Sequence, residues 1–441
     1  MKKELSIYIH IPFCVRKCFY CDFLSFPTGE VKGHPAVRKA AASCSKEPVR
    51  RMEVSCRCET AQDAIEYYVN LLCREIKQSA EAYIEYQVIS VFLGGGTPSL
   101  LTTEQIGRIM EAVRRYYQMT PDAEVTMEMN PGTVESGEPE QYITHGINRA
   151  SIGLQSADDG ELRRIGRIHD YAAFLRTYDL VRRAGFCNVN IDIMAALPGQ
   201  SIVSYEQTLR RVTALAPEHI SAYSLILEEG TPLYERQSEY RFPAEEENVE
   251  MDLLTRQYLA DCGYYRYEIS NYAREGYECR HNKVYWQRGD YVGFGPGAAS
   301  MVENVRWSNP SSMESYAAYV MRQQEAADMS AAPYMYEGAA CGQQAETARQ
   351  NRSKAADLPH RQILTPQEQM EEYMFLGLRM VCGVSAAAFA RTFGISVEDV
   401  YGDVIRELHR QGLLVREGDR IRLTLRGLDV SNYAMAQFLF D

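Results

Sequence analysis

The chain lacks any apolar run approaching the roughly 18 to 20 residues that would cross a bilayer, which excludes a helical membrane protein. It also lacks an excess of positive charge: 47 Lys and Arg face 59 Asp and Glu, a formal net charge of −12. A phosphate backbone is bound through clustered cations, so no general nucleic-acid affinity is expected. A signal-peptide pattern is missing too. Met1-Lys2-Lys3-Glu4-Leu5-Ser6-Ile7 turns at once into a strand-like pattern interrupted by His10 and Pro12, with neither a long apolar segment nor a cleavage site, and a cytoplasmic location is expected. In such a setting 12 cysteines do not read as a disulfide framework; a tight cluster among them points to metal. The 441 residues, 46% hydrophobic and 24% charged, are ordinary globular material for two domains plus accessories.

Short apolar runs recur at 5–11, 88–93, 124–129, 150–154, 189–194 and 220–227, and amphipathic stretches such as 64–86, 103–117, 171–184 and 205–215 separate them. Six alternating strand and helix units predict a parallel α/β sheet in the form of a partial (β/α)6 barrel. Polar or glycine-rich residues follow nearly every strand: Cys14, then Gly94-Gly95-Gly96-Thr97-Pro98, Asn130-Pro131 and Gln155-Ser156. In parallel barrels the chemistry lies at the C-terminal ends of the strands, so these motifs converge on one face. The expected organisation is a barrel over 1–262 with a surface insertion at 29–60, an extension over 263–326, a flexible insertion at 327–362, and a C-terminal domain over 363–441. In that last part three helical patterns (366–381, 385–392, 397–411) precede strands at 413–415 and 420–423, a winged-helix-like α+β arrangement. Its mixed, acid-leaning charge favours docking or a lid over DNA reading.

The strongest signal is Cys14-Val15-Arg16-Lys17-Cys18-Phe19-Tyr20-Cys21. A cubane 4Fe-4S cluster needs soft thiolates at this spacing, and three of them leave its fourth iron open to a small chelator. The alternative is structural zinc, which takes four ligands, typically from two Cys-x-x-Cys pairs, and no second pair stands at a normal distance. The glycine run after the second strand allows close backbone approach to a ligand, or is a tight turn. Cys44, Cys56, Cys58, Cys73, Cys187, Cys262, Cys341 and Cys382 have no complete metal spacing and read as free thiols.

Tyr8-Ile9-His10-Ile11-Pro12-Phe13-Cys14 with this CxxxCxxC spacing resembles the radical S-adenosylmethionine (SAM) superfamily, and within it the coproporphyrinogen dehydrogenase-like group. The resemblance runs from about residue 5 to 325 and resumes at 363. It implies a cluster on Cys14, Cys18 and Cys21 that chelates SAM, and a SAM site drawn from Tyr8, Tyr20, Gly95, Gly96, Thr97, Glu128, Gln155, Arg167 and Asp192. Carboxylates at strand ends suit ribose hydroxyls or an ammonium, and an arginine suits a carboxylate.

Two details choose a branch. After Cys21 stands Asp22-Phe23, where the oxygen-independent coproporphyrinogen dehydrogenases resemble Cys-Gly-Cys. Further on, Cys279-Arg280-His281-Asn282-Lys283-Val284-Tyr285-Trp286 carries an HNxxYW signature that is similar to the HemW branch of haem chaperones. That resemblance implies haem as cargo, with His281 as the candidate iron ligand, Cys279 as a less favoured one, and Ala299 where many relatives place a histidine. Three readings follow: a haem chaperone, a coproporphyrinogen III dehydrogenase acting through a 5'-deoxyadenosyl radical, and a non-catalytic iron–sulfur interaction module. The implied partners are haem, a haem-acceptor protein, a reductant for the cluster and, peripherally, membrane haemoproteins.

Overall fold

The computed structural model describes residues 2–28, 60–331 and 361–440. Its first domain begins with β1 (Lys3–Ile11) and a short parallel pair, β2 (Phe13–Cys14) and β3 (Phe26–Pro27), followed by β4 (Tyr86–Gly95), β5 (Met119–Met129), β6 (Arg149–Gln155), β7 (Val189–Ala195) and β8 (His219–Ser224). β1 and β4 to β8 lie side by side and all run parallel. These are the six expected strands, except that the last stops at Ser224 rather than at 227.

Side-chain alternation explains what each face of this sheet does. Ile7, Ile9, Val91, Leu93, Val125, Met127, Ile152, Leu154, Ile191 and Ile220 enter one apolar core beneath the helices. The residues between them are polar: Ser6, Tyr8 and His10 on β1, Glu124, Thr126 and Glu128 on β5, Arg149, Ser151 and Gln155 on β6, Asn190 and Asp192 on β7, His219, Ser221 and Tyr223 on β8. A parallel strand covered by apolar packing on both faces reads as a continuous hydrophobic run; this regular alternation marks a sheet whose inner face is a polar lumen. The covering helices start on side-chain caps that take up their free N–H groups. Ala61–Ser79 is capped by Thr60, Thr103–Tyr116 by Thr102, Tyr171–Ala184 by Asp170 and Ile202–Ala214 by Ser201.

Both sheet edges are extended beyond the six strands. β9 (Tyr265–Glu268) and β10 (Asn271–Ala273) run antiparallel beside β8, while β11 (Tyr291–Phe294) adds in parallel to β1 and leads to the antiparallel β12 (Ala299–Val302), β13 (Val305–Ser308) and β14 (Gln362–Ile363). Among the described residues the sheet has twelve strands and stays open, with no pairing between β1 and β8. The link from one edge to the other contains the helix Arg280–Trp286.

The expected insertion segments fall almost wholly outside the described residues, and Cys44, Cys56, Cys58 and Cys341 lie there. At one boundary the helix Met313–Ala331 continues past the expected break at 327. The C-terminal domain has its own core, including Met374, Phe389, Tyr401, Leu408 and Ile421. Helix Pro366–Gly377, β15 (Val384–Ser385), helices Ala386–Phe393 and Val397–Arg410, β16 (Leu414–Glu417) and β17 (Arg420–Leu423) follow the winged-helix order, with β17 central in the small sheet. Two further short helices, Leu425–Asp429 and Ser431–Ala436, complete it.

Candidate metal and cofactor site

The cysteine loop is pinned by backbone hydrogen bonds on both flanks. Phe26 N donates to Pro12 O at 2.7 Å, Thr97 N to Phe13 O at 2.7 Å, Phe19 N to Ile165 O at 3.0 Å and Leu233 N to Phe19 O at 2.8 Å. Cys14, Cys18 and Cys21 are free and half-buried on this loop. Donors face the sulfurs: Thr97 Oγ1 lies 3.5 Å from Cys14 Sγ and Arg167 Nη1 3.6 Å from Cys18 Sγ. Burial pushes the Cys21 thiol up to about 11, and the neighbouring Cys18 and Cys14 add to the shift, so a positive centre is what would ionise this thiol.

Three free thiols on a rigid loop fit a cubane cluster, whose thiolates each hold a different corner iron. Among the described residues no three His, Cys, Asp or Glu side chains converge on one point.

Behind the loop, a hydrogen-bonded chain joins three strand ends. Asn130 Nδ2 donates to Thr97 Oγ1 at 3.0 Å, and Arg167 Nη2 donates to Asn130 Oδ1 at 2.6 Å and to Gly153 O at 2.7 Å. Arg167 Nε remains buried without a partner. Gly95 has φ +104°, and a Cβ there would lie 2.4 Å from the His10 ring; one on Gly96 would lie 2.6 Å from Phe13 O. The glycine run is therefore required by close approach to the first strand and its loop.

Glu128 and Asp192 line the lumen below. Burial, reinforced by Asp192, pushes the Glu128 carboxyl up to about 8, against a 3.1 Å hydrogen bond from Gly95 N. Asp192 is raised as well, chiefly by burial, and accepts from Asn190 Nδ2 at 2.8 Å. Two desolvated carboxylates in one cavity favour a ligand carrying positive charge or hydroxyls. Gln155 adopts φ +72° at the end of β6, uncommon for a non-glycine residue and typical of functional strand ends; its Oε1 accepts from Tyr223 OH at 3.1 Å. Tyr20 packs with Tyr223 against Ile165, Met194 and Leu197, an apolar shelf beside Cys21 suited to a flat base. Tyr8 OH lies 3.0 Å from His10 Nδ1, and His10 Nε2 lies 2.8 Å from Leu24 O, so Tyr8 sits deeper than the other expected SAM residues and ties the lumen to the cysteine loop.

The structure thus brings Cys14, Cys18, Cys21, Gly95, Gly96, Thr97, Glu128, Gln155, Arg167, Asp192 and Tyr20 to one end of the barrel. Asn130, expected on this face from its place after the third strand, joins them, and so does Tyr223, which the motifs do not single out. Tyr223 falls in the middle of the predicted strand 220–227, and only the earlier end of that strand at Ser224 puts it at the site.

His281 lies elsewhere, at the lower end of the lumen and away from the cysteine loop. It is 1% exposed, with Nδ1 at 3.0 Å from Ser90 Oγ and Nε2 at 2.9 Å from Tyr285 OH. Its ring stacks on Phe92 at 5.1 Å, and burial with the charge of Arg149 lowers it to about 3, so it is neutral. Both ring nitrogens are engaged within the fold, and His281 plugs the lower end of the lumen. Cys279 is equally sealed, 0% exposed beside Glu124. Ala299 is exposed on β12.

Residues 8–212 match the Radical SAM superfamily, and residues 364–430 match the HemN C-terminal domain. Among solved structures, coproporphyrinogen III oxidase (HemN) from Escherichia coli has a TM-score of 0.73 at 20% identity, covering 99% of this chain and 90% of its own; that likeness concerns the fold. Cluster loop, barrel and superfamily match together define a radical SAM protein. The heme chaperone HemW of Lactococcus lactis subsp. lactis is 31% identical over 443 residues, covering 100% of this chain and 99% of the relative. The heme chaperone HemW of Escherichia coli is 36% identical over 300 residues, 68% of this chain and 70% of the relative. The chain belongs to the HemW family.

Proposed function

We propose that the protein is a haem chaperone, which binds haem and transfers it to an acceptor protein while carrying a 4Fe-4S cluster and exchangeable SAM. The observation that carries this reading is the end-to-end similarity to a heme chaperone, 31% over 100% of the chain. Phe23 supports it: the position where the porphyrinogen dehydrogenases resemble a further cysteine holds an apolar side chain, 64% exposed.

Cys14, Cys18 and Cys21 hold the cluster, which when bound supplies an open iron for the amino-acid end of SAM and an electron. The chain's own groups shape the rest of that site. The glycine run admits the ligand to the backbone, Glu128 and Asp192 meet its cationic and hydroxyl groups, Arg167 and Gln155 set its orientation, and Tyr20 covers the base. The acceptor is a haemoprotein, met in the cytoplasm or at the membrane surface, and a cytoplasmic reductant serves the cluster. Among the described residues no helix is long and apolar enough to cross a membrane.

Anaerobically reconstituted protein titrated with haem is expected to develop a saturable Soret band and to pass that haem to an apo-haemoprotein. With SAM, reductant and coproporphyrinogen III it is expected to leave the porphyrinogen unchanged. Stoichiometric protoporphyrinogen formation would replace this reading with the dehydrogenase. Cluster-independent haem transfer with no SAM uptake would instead mark a vestigial SAM site.

A further inference from the structure

The two donors that face the cysteine loop are joined through one amide. Arginine carries donors only, so the side-chain atom of Asn130 that meets Arg167 Nη2 at 2.6 Å is its oxygen. That choice puts the amide nitrogen on the other side, where Nδ2 donates to Thr97 Oγ1 at 3.0 Å. A threonine hydroxyl has a single proton. With its oxygen accepting from Asn130, that proton is left for Cys14 Sγ, 3.5 Å away. On the other branch Nη2 is also held by Gly153 O at 2.7 Å, and the planar guanidinium is thereby aimed with Nη1 3.6 Å from Cys18 Sγ.

Asn130 is itself fixed through its backbone. Its N donates to Ser99 Oγ at 3.2 Å, and its carbonyl accepts from Thr133 N at 3.1 Å and from Thr133 Oγ1 at 2.8 Å. The Ser99 and Thr133 hydroxyls stand 2.6 Å apart and close the clamp. Gly153 leaves the room that the arginine needs, since a Cβ there would lie 3.3 Å from Arg167 Nη2. One amide, locked by its neighbours, thus decides where two protons point.

We propose that Asn130 is a positioning residue for the iron–sulfur cluster: through Thr97 and Arg167 it directs one hydrogen bond at the Cys14 sulfur and one at the Cys18 sulfur, and so sets the cluster's reduction potential. The proposal rests on the reading of Cys14, Cys18 and Cys21 as cluster ligands. Hydrogen bonds to ligand sulfurs favour the more negative, reduced state and raise the potential.

The test uses the full-length protein, anaerobically reconstituted and without SAM, titrated with dithionite in the presence of redox dyes, with the reduced cluster followed by EPR and iron content measured alongside. Thr97→Val, which replaces the hydroxyl by a methyl, is expected to lower the reduced-to-oxidised ratio at a fixed potential about tenfold, about 59 mV for one electron. Asn130→Asp cannot donate to Thr97 and is the better acceptor for its proton, so the ratio is expected to fall at least as far. In Asn130→Asp the hydroxyl has already turned away from the sulfur. Adding Thr97→Val there is expected to change nothing further, and the extra negative charge cancels within this double-mutant cycle. Thr97→Ser keeps the proton and is expected to keep the wild-type potential. Asn130→Ala, neutral and without partners, is expected to lower the ratio several-fold, and it decides the matter where Asn130→Asp takes up no iron. Additive effects in the cycle, or a wild-type potential in a fully loaded Asn130→Ala, would overturn the assignment and leave the cluster reading standing. A wild type that assembles no 4Fe-4S cluster would instead sink that reading itself.

Discussion

Glu128 shows how a single residue couples burial to ligand choice. With its carboxyl raised to about 8 by burial and by Asp192, it is mostly protonated at neutral pH in the empty lumen. A ligand carrying ammonium and sulfonium charge favours the ionised form, so binding lowers this pKa and releases a proton. SAM affinity is therefore expected to rise as pH increases toward 8, by up to about tenfold per pH unit, and to level off above it. Glu128→Gln should flatten that profile and weaken SAM by roughly 10- to 100-fold at pH 8.5, the range for a lost charged hydrogen bond. Equilibrium dialysis of the cluster-loaded protein measures both, and a wild-type affinity independent of pH between 6 and 8 would refute the coupling.

At the scale of the element, helix Arg280–Trp286 is seven residues long, too short to persist by itself, and it is held by a carboxylate from another part of the fold. Glu124 on β5 accepts from Arg280 N at 3.0 Å and His281 N at 3.2 Å, and from Cys279 Sγ at 3.4 Å. Two free N–H groups of the first turn and the positive end of the helix thus meet one buried charge. Glu124→Ala is expected to cost about 2–4 kcal/mol, because both N–H groups lose their acceptor in a closed space. Thermal unfolding followed by tyrosine and tryptophan fluorescence checks this, and an unchanged midpoint would show that the helix needs no such anchor. The same helix marks where the sequence stops being legible. The six strands could be read because polar and apolar residues alternate along them, and the cysteine loop because its spacing is local. That Glu124 would cap Arg280, or that His281 would turn into the lumen, depends on pairings more than 150 residues apart, which periodicity does not encode. The three- and four-residue strands that extend both sheet edges are likewise too short to show a period, and β15, at two residues, has none.

At the scale of the whole molecule, the barrel core and the C-terminal core meet across a joint that combines buried charge with a small apolar cluster of Tyr267, Ala273 and Met380. Glu372, on the first helix of the C-terminal domain, meets Arg288 at 3.1 Å and Arg306 at 2.8 Å, and Glu372 and Arg288 are 8% and 7% exposed. Arg379 faces the fully buried Glu268 at 3.6 Å, and Val381 N donates to Tyr267 O at 3.0 Å. The ionic part of this joint gives little net stability compared with apolar packing, yet it is costly to break from one side, since the remaining charge stays buried. Glu372→Ala leaves Arg288 without its carboxylate, at a cost of roughly 3–5 kcal/mol, whereas replacing Arg288 and Glu372 together by methionine is expected to cost far less. Because the chain is not a single cooperative unit, the loss should appear as an earlier, separate calorimetric transition of the C-terminal domain, with faster proteolysis near Leu364 and the barrel transition in place. One unsplit transition in Glu372→Ala would mean that the domains are held by something other than this pair.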